Sequence, residues 1–352
     1  MARSAVPPYR AGVVGVKGPV VGGIGDAHAR ALKLHPKAEV AAICDVDPAG
    51  LEAYQAGHGP IAAFTEVTAM LGAQEIDLVC IATSDHTHCE LVEAACRAGV
   101  LMIFCEKPLD VTLERGDRMV RAVEQSGATF LCDHTRRWIP TWVTAKKILD
   151  EHLGSVVRAS ARMGGPRAML YRNGTHLLDA LCWFVGDEPA WLVGGEFEDL
   201  GVFDPNPACT ALLGFQNGCR AFIDFSKKAA RELEIDCICE GGRLTVNRAG
   251  IHLTREEAGL GLTYTRLPPI SGDSEGMALA MRDLIEAYEE GRPTRSTARD
   301  ALRALEIITA IVRSHDGGGA RIDWPLDRAA ATASEGQLGF DASTLEWGTG
   351  QR

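Results

Sequence analysis

Short apolar runs and helically spaced apolar positions alternate along the first third of the chain. Ala11–Val16 is a β-branched run, followed by a glycine-rich stretch and a helix over His28–Leu34. Ala38–Cys44 predicts a strand that ends at Asp45, Pro48–Gln55 a helix, Ile61–Phe64 a short strand and Val67–Leu71 a short helix. Asp77–Ala82 and Val100–Cys105 are continuous, mainly apolar strands, Thr129–Cys132 is a further strand, His88–Ala98 is a helix with one apolar face, and Leu113–Ser126 is a helix. Strands without a polar face are buried on both sides, so this stretch predicts a doubly wound parallel sheet.

The rhythm changes after residue 133. Thr141–His152 and Leu177–Val185 are helical, Val156–Met163 alternates, and Ala190–Phe197, Cys209–Phe215, Arg220–Phe225, Leu233–Cys239 and Gly242–Val246 are strands with few helices between them. Gln216-Asn217-Gly218 is a tight-turn signal, which implies antiparallel pairing. Gly276–Glu290 and Thr297–Val312 are closing helices, and the weakly patterned final stretch reads as an arm or frayed tail. The expected fold class is α/β: an N-terminal doubly wound domain over residues 1–133, then an α+β domain with a large, mostly antiparallel open sheet over residues 134–352.

Composition narrows the function. The 352 residues carry a net charge of −11, with 46% hydrophobic and 24% charged side chains, as in ordinary globular chains of two domains. The acidic balance argues against a nucleic-acid partner. No apolar run approaches the ~20 residues of a membrane helix. The opening MARSAVPPYR lacks the apolar core of a signal peptide, so a cytoplasmic, non-membrane protein is expected. Eleven cysteines, most of them in apolar runs, read as buried thiols, and Cys237-Ile-Cys239 lacks zinc-site spacing.

Residues 12–30 place glycines between a strand and a helix, where backbone approaches a pyrophosphate closely. Gly18, Gly22 and Gly25 give the best register, although Pro19, Val20 and Val21 separate the first two more widely than in G-x-G-x-x-G. Asp45 ends the second strand, where an acid accepts hydrogen bonds from adenosine ribose hydroxyls and repels a 2′-phosphate. The expected cofactor is NAD. The competing readings are a ligand-free flexible loop and a simple cap or turn acid.

Glu106-Lys107-Pro108 after the fifth strand, Arg136-Arg137-Trp138 with Pro140, and Gly174-Thr175-His176-Leu177-Leu178-Asp179 resemble motifs of the Gfo/Idh/MocA oxidoreductase family, and the resemblance runs over residues 10–325. It implies a Rossmann NAD-binding domain, a cis Lys107-Pro108 bond, and Lys107 and His176 as the catalytic proton-handling pair. Asp85, His88, Glu106 and Lys107 would contact the cofactor, and Asp179 the substrate; no metal is implied at Asp85-His86-Thr87-His88. On physical grounds a half-buried lysine at the end of a parallel strand faces the ligand crevice with a lowered pKa, suited to exchanging a proton with a hydroxyl. His176 and Asp179 share a helix face, and capping or solvated roles compete for both.

The sequence departs from the family at Arg172, where many members carry an aspartate. Arg136, Arg137, Arg167 and Arg172, with Asn173, are candidate substrate contacts for an anionic group; surface or inter-domain salt bridges are the competing reading. The expected activity is hydride transfer between NAD and a hydroxyl of a sugar, cyclitol or sugar acid. Two alternatives stay open: an NAD-dependent glycosidase that oxidises transiently, possibly on an anionic glycoside, and a non-catalytic NAD-sensing regulator. A homodimer or homotetramer is the expected assembly.

Overall fold

A computed structural model of the chain describes residues 5–16, 23–201, 204–330, 332, 334–336 and 338. The first sheet comprises β1 (Tyr9–Val14), β2 (Ala38–Cys44), β3 (Ala62–Phe64), β4 (Leu78–Ile81), β5 (Met102–Cys105) and β6 (Thr129–Cys132). All neighbours are parallel, in the order β3-β2-β1-β4-β5-β6. Helices α1 (Ile24–Leu34), α2 (Pro48–His58), α3 (Val67–Ala73), α4 (His88–Arg97) and α5 (Leu113–Ser126) make the crossovers. β4 and β5 are buried at every residue, which explains their unbroken apolar runs. Strand order reverses between β1 and β4, and that opens a crevice at the carboxyl ends of the strands.

The chain leaves β6 into α6 (Pro140–His152), β7 (Val156–Gly164) and α7 (Thr175–Val185). It continues through β8 (Pro189–Phe197), β9 (Cys209–Phe215), β10 (Arg220–Ser226), β11 (Leu233–Cys239), β12 (Gly242–Asn247), β13 (Gly250–Glu257) and β14 (Gly261–Leu267). Helices α8 (Gly276–Glu290) and α9 (Ala298–Asp316) and the short β15 (Ile322–Asp323) close the fold. The second sheet has nine strands in the order β14-β13-β12-β11-β7-β10-β9-β8-β15. Every pair in it is antiparallel except β7 with β10.

One face of this sheet is packed by α7 and α9, which contribute Leu177, Leu181, Phe184, Leu305, Ile308 and Ile311 to the core. Val157, Leu212, Phe222 and Ile238 are exposed on β7, β9, β10 and β11. The division of the chain at residue 133 follows sequence order, but α8 returns to the first sheet. Its Ala280, Met281, Leu284 and Ile285 share a core with Tyr9, Leu32 and Phe104, and Trp138 Nε1 donates to Asp283 at 3.2 Å. The two units are therefore laced together, with the strand ends of the first facing the start of α7.

No described helix is long and apolar enough to cross a membrane, and the described residues hold no cluster of His, Cys, Asp and Glu suited to a metal ion. All eleven cysteines are free thiols, ten of them buried.

Candidate active site

The crevice begins at Gly15, directly after β1. Gly15 has φ +91°, and its N–H donates to Cys44 O at 2.8 Å. A Cβ there would lie 2.5 Å from Ala82 O, and one on Gly25 would lie 2.2 Å from Gly15 O. Both glycines are thus required for α1 to sit against the turn and the end of β4. Gly18 and Gly22 lie outside the described residues; Gly15 is the turn glycine that the sequence register passed over. Helix α1 opens at Gly23 with no side-chain cap, which leaves its first-turn N–H groups available to an anion. Asp45, at the end of β2, is buried and accepts from Asp47 N at 3.0 Å. A backbone cradle, an open helix start and an acid at the second strand end together fit a dinucleotide.

Lys107 and His176, the two residues expected to handle the proton, lie toward the far end of the crevice. Lys107 follows β5 and a cis bond joins it to Pro108. Its Nζ donates to Arg172 O at 2.9 Å, a contact between the two units. Burial lowers the Lys107 pKa, Arg172 and Arg136 lower it further, and Glu106 and Asp133 oppose them. Arg172 belongs to a wide turn over Leu170–Gly174 in which Gly174 N bonds Met169 O at 2.7 Å. Such five-residue turns are uncommon and re-aim backbone groups at functional sites.

His176 lies in the first turn of α7, and its Nδ1 is buried with no hydrogen-bond partner. Burial, then the charges of Arg136, Lys107, His134 and Arg167, hold its pKa well below the ordinary value, so the ring is neutral. Behind it His134 faces Thr175 Oγ1 through Nε2 and Ser296 Oγ through Nδ1, both at 3.2 Å.

Glu106 is paired with His28 of α1, Oε1 to Nε2, at 3.0 Å in the core. Burial opposes both charges. Contacts with Cys80 and Glu106 nevertheless raise His28 to about 10, and His28 holds Glu106 down to about 2. Glu106 Oε2 also accepts from Lys107 N at 3.3 Å. His88 is fully buried; Nδ1 faces Pro108 O at 2.9 Å and Nε2 faces Thr83 O at 3.3 Å. These contacts make it a strut beneath the Lys107 turn. Asp85 is buried, accepts from His86 N at 3.1 Å, and is raised in pKa by that burial.

The adjacent arginines of the motif after β6 separate. Arg137 makes a two-pronged bond to Asp179, Nε to Oδ2 at 2.8 Å and Nη2 to Oδ1 at 2.9 Å. It also donates to Arg295 O at 2.6 Å and meets Asp300 Oδ1 at 3.3 Å. Asp300 is the capping-box acid of α9, so one carboxylate serves helix start and guanidinium together. Arg137 and Asp179, expected at the substrate, are thereby consumed by each other and brace α7 against α9. Asn173 is likewise engaged, donating Nδ2 to Arg167 O at 2.8 Å.

Arg136, by contrast, makes no hydrogen bond or ion pair with any described residue. Burial lowers its pKa to about 10, Asp133 opposes, and the like charges of Arg248 and Arg167 add to the fall. Arg248, at the turn between β12 and β13, was not among the sequence candidates. Nor were His28, Asp133 and His134. The position of Asp133 at the end of a parallel strand was the available signal for it.

Residues 9–134 match the oxidoreductase family with an NAD-binding Rossmann fold, GFO_IDH_MocA, and residues 158–323 match that family's C-terminal alpha/beta domain. The chain belongs to the Gfo/Idh/MocA oxidoreductase family. It is 28% identical to inositol 2-dehydrogenase of Rhizobium meliloti strain 1021 over 83% of this chain and 94% of the relative. It is 30% identical to the rhizopine catabolism protein MocA of Rhizobium meliloti over 86% of this chain and 93% of that protein. The crystal structure of levoglucosan dehydrogenase with NADH and L-sorbose superposes with a TM-score of 0.79 at 20% identity, covering 91% of this chain and 99% of the other. This family member binds NAD in its first domain. We expect Asp45→Ser to weaken NADH binding roughly tenfold, the loss of a charged hydrogen-bond acceptor, and to narrow the preference over NADPH; fluorescence titration with both cofactors measures it.

Proposed function

We propose that this protein is an NAD-dependent dehydrogenase of a small polyhydroxylated substrate, a sugar or cyclitol, that carries an anionic group. Lys107 and His176 handle the proton, and Arg136 grips the anion. The observation that carries this reading is the meeting of Lys107, the unpartnered His176 Nδ1 and the unpaired Arg136 at one end of the crevice. The bound nicotinamide supplies a hydride acceptor.

Lys107, with its pKa lowered, takes the hydroxyl proton as the substrate carbon is oxidised. His176, neutral, accepts or donates a hydrogen bond to a substrate hydroxyl and adds no charge. The guanidinium of Arg136 is repelled by Arg167 and Arg248, so a carboxylate, sulfonate or phosphate relieves that repulsion when it binds. The relatives named for inositol, rhizopine and levoglucosan support a polyhydroxylated substrate. The exposed residues Leu212, Phe222 and Ile238 offer a face through which a homodimer or homotetramer would pair.

The test is NADH formation with matched neutral and anionic substrates: hexoses against hexuronates, and cyclitols against their monophosphates. Anionic members should be preferred. Arg136→Ala should raise their KM roughly 10- to 100-fold, the loss of a charged hydrogen bond, while the KM of neutral members stays within about twofold. Equal losses on both sets, or a preference for neutral polyols, would overturn the anion assignment.

A further inference from the structure

Oxidation of an alcohol leaves a proton on Lys107, and the surroundings already hold much positive charge. Arg136 and Arg172 both act on the lysine, and His28 stands one side chain away beyond Glu106. A new ammonium there needs a nearby anion. Most carboxylates around the crevice are already engaged. Glu106 is bonded to His28, Asp179 to Arg137, Asp110 to Arg115 at 2.7 Å, and Asp85 to His86 N.

Asp133 differs. It follows β6, and its N–H donates to Cys105 O at 2.9 Å, which places it beside Glu106 and one residue from Lys107 across the strand ends. It is 3% exposed, and its Oδ1 is buried without a hydrogen-bond partner. An orphaned carboxylate oxygen is costly to bury and invites a role.

We propose that Asp133 is a positioning residue for Lys107, whose carboxylate supplies the counter-charge when the lysine becomes an ammonium. This deepens the preceding reading and rests on Lys107 as the base. In the step, the substrate O–H bond breaks and an N–H bond forms on Lys107. The electron pair of the adjacent C–H bond leaves as hydride, for which bound NAD would supply the acceptor, and the carbonyl double bond forms. The lysine thus gains one positive charge, which Asp133 offsets. The groups facing Asp133 are Glu106 and Lys107 after β5, His28 from α1, and Thr135 and Arg136 on its own turn. Burial and then Glu106 raise the Asp133 carboxyl to about 7, with His28, Thr135 and Lys107 pulling the other way. The counter-charge is therefore present above neutral pH and withdrawn below it.

Competitive labelling with acetic anhydride across a pH series, read at Lys107 by peptide mass spectrometry, gives the lysine's apparent pKa on the full chain without a known substrate. Asp133→Asn should lower that pKa by roughly one unit or more, and Asp133→Glu should return it toward the native value. NADH fluorescence titration checks that both variants bind cofactor. An unmoved Lys107 pKa in an Asp133→Asn protein that binds NADH overturns the proposal, as does a shift that Asp133→Glu fails to reverse. Full turnover in a Lys107→Met protein would sink the base assignment separately, whatever the labelling shows.

Discussion

Lys107→Met lowers the rate of substrate oxidation by roughly two to four orders of magnitude, and NADH binding stays close to native. Methionine keeps the length and apolar stem of lysine and removes the amine. The lost rate is that of positioned proton transfer, and the cradle at Gly15, Gly25 and Asp45 lies elsewhere in the crevice. The pH profile gives a sharper readout. On the proposed reading neutral lysine is the active form for oxidation, so the rate should rise with pH through the Lys107 titration. Burial together with Arg172 and Arg136 moves that limb below the ordinary lysine value. In Lys107→Met the limb disappears. A variant that keeps both the limb and the rate would remove Lys107 from the chemistry.

The second large effect is on stability. Asp179→Ala should destabilise the fold by about 3–5 kcal/mol, because it leaves the Arg137 guanidinium buried without its carboxylate. Asp179 is 1% exposed and Arg137 6%, so the guanidinium is left away from bulk solvent. Asp300, at 3.3 Å from Arg137, compensates only in part because it also caps α9. Replacing the pair together, Arg137→Met with Asp179→Leu, should recover most of the loss, since no unpaired charge remains. Urea denaturation of the single and double variants measures both. A single-variant loss under about 1 kcal/mol would mean that the pair is not the brace described here.

The sheet types and most element bounds were legible because burial dictates them. Leu113–Ser126 and Thr129–Cys132 fall where the apolar pattern puts them, since α5 buries one face and β6 is covered on both. The strands β13 and β14 escaped. Most of β14 is exposed, so its residues Gly261–Leu267 carry no apolar face to read. Helix α1 begins at Ile24 rather than His28, a start hidden by Gly25, a poor helix former that the close approach of Gly15 demands.

The positions of Lys107 and His176 were legible: the one follows β5 and the other lies in the first turn of α7. The site was illegible at Arg136 and Arg137. Adjacent and chemically identical, they are separated only by the turn after β6, which turns one toward Asp179 and leaves the other unpaired. The His28–Glu106 pair joins residues 78 apart in sequence, a contact no local pattern encodes.

The bond from Lys107 Nζ to Arg172 O has a directional consequence. A neutral amine holds two hydrogens and one lone pair, and about a single C–N bond they spin freely. Anchoring one hydrogen on a carbonyl from the opposite unit confines the lone pair to the two remaining tetrahedral positions. Bringing the two halves together and aiming the base are then one motion, so a swing that parts them would disarm the amine without touching its proton.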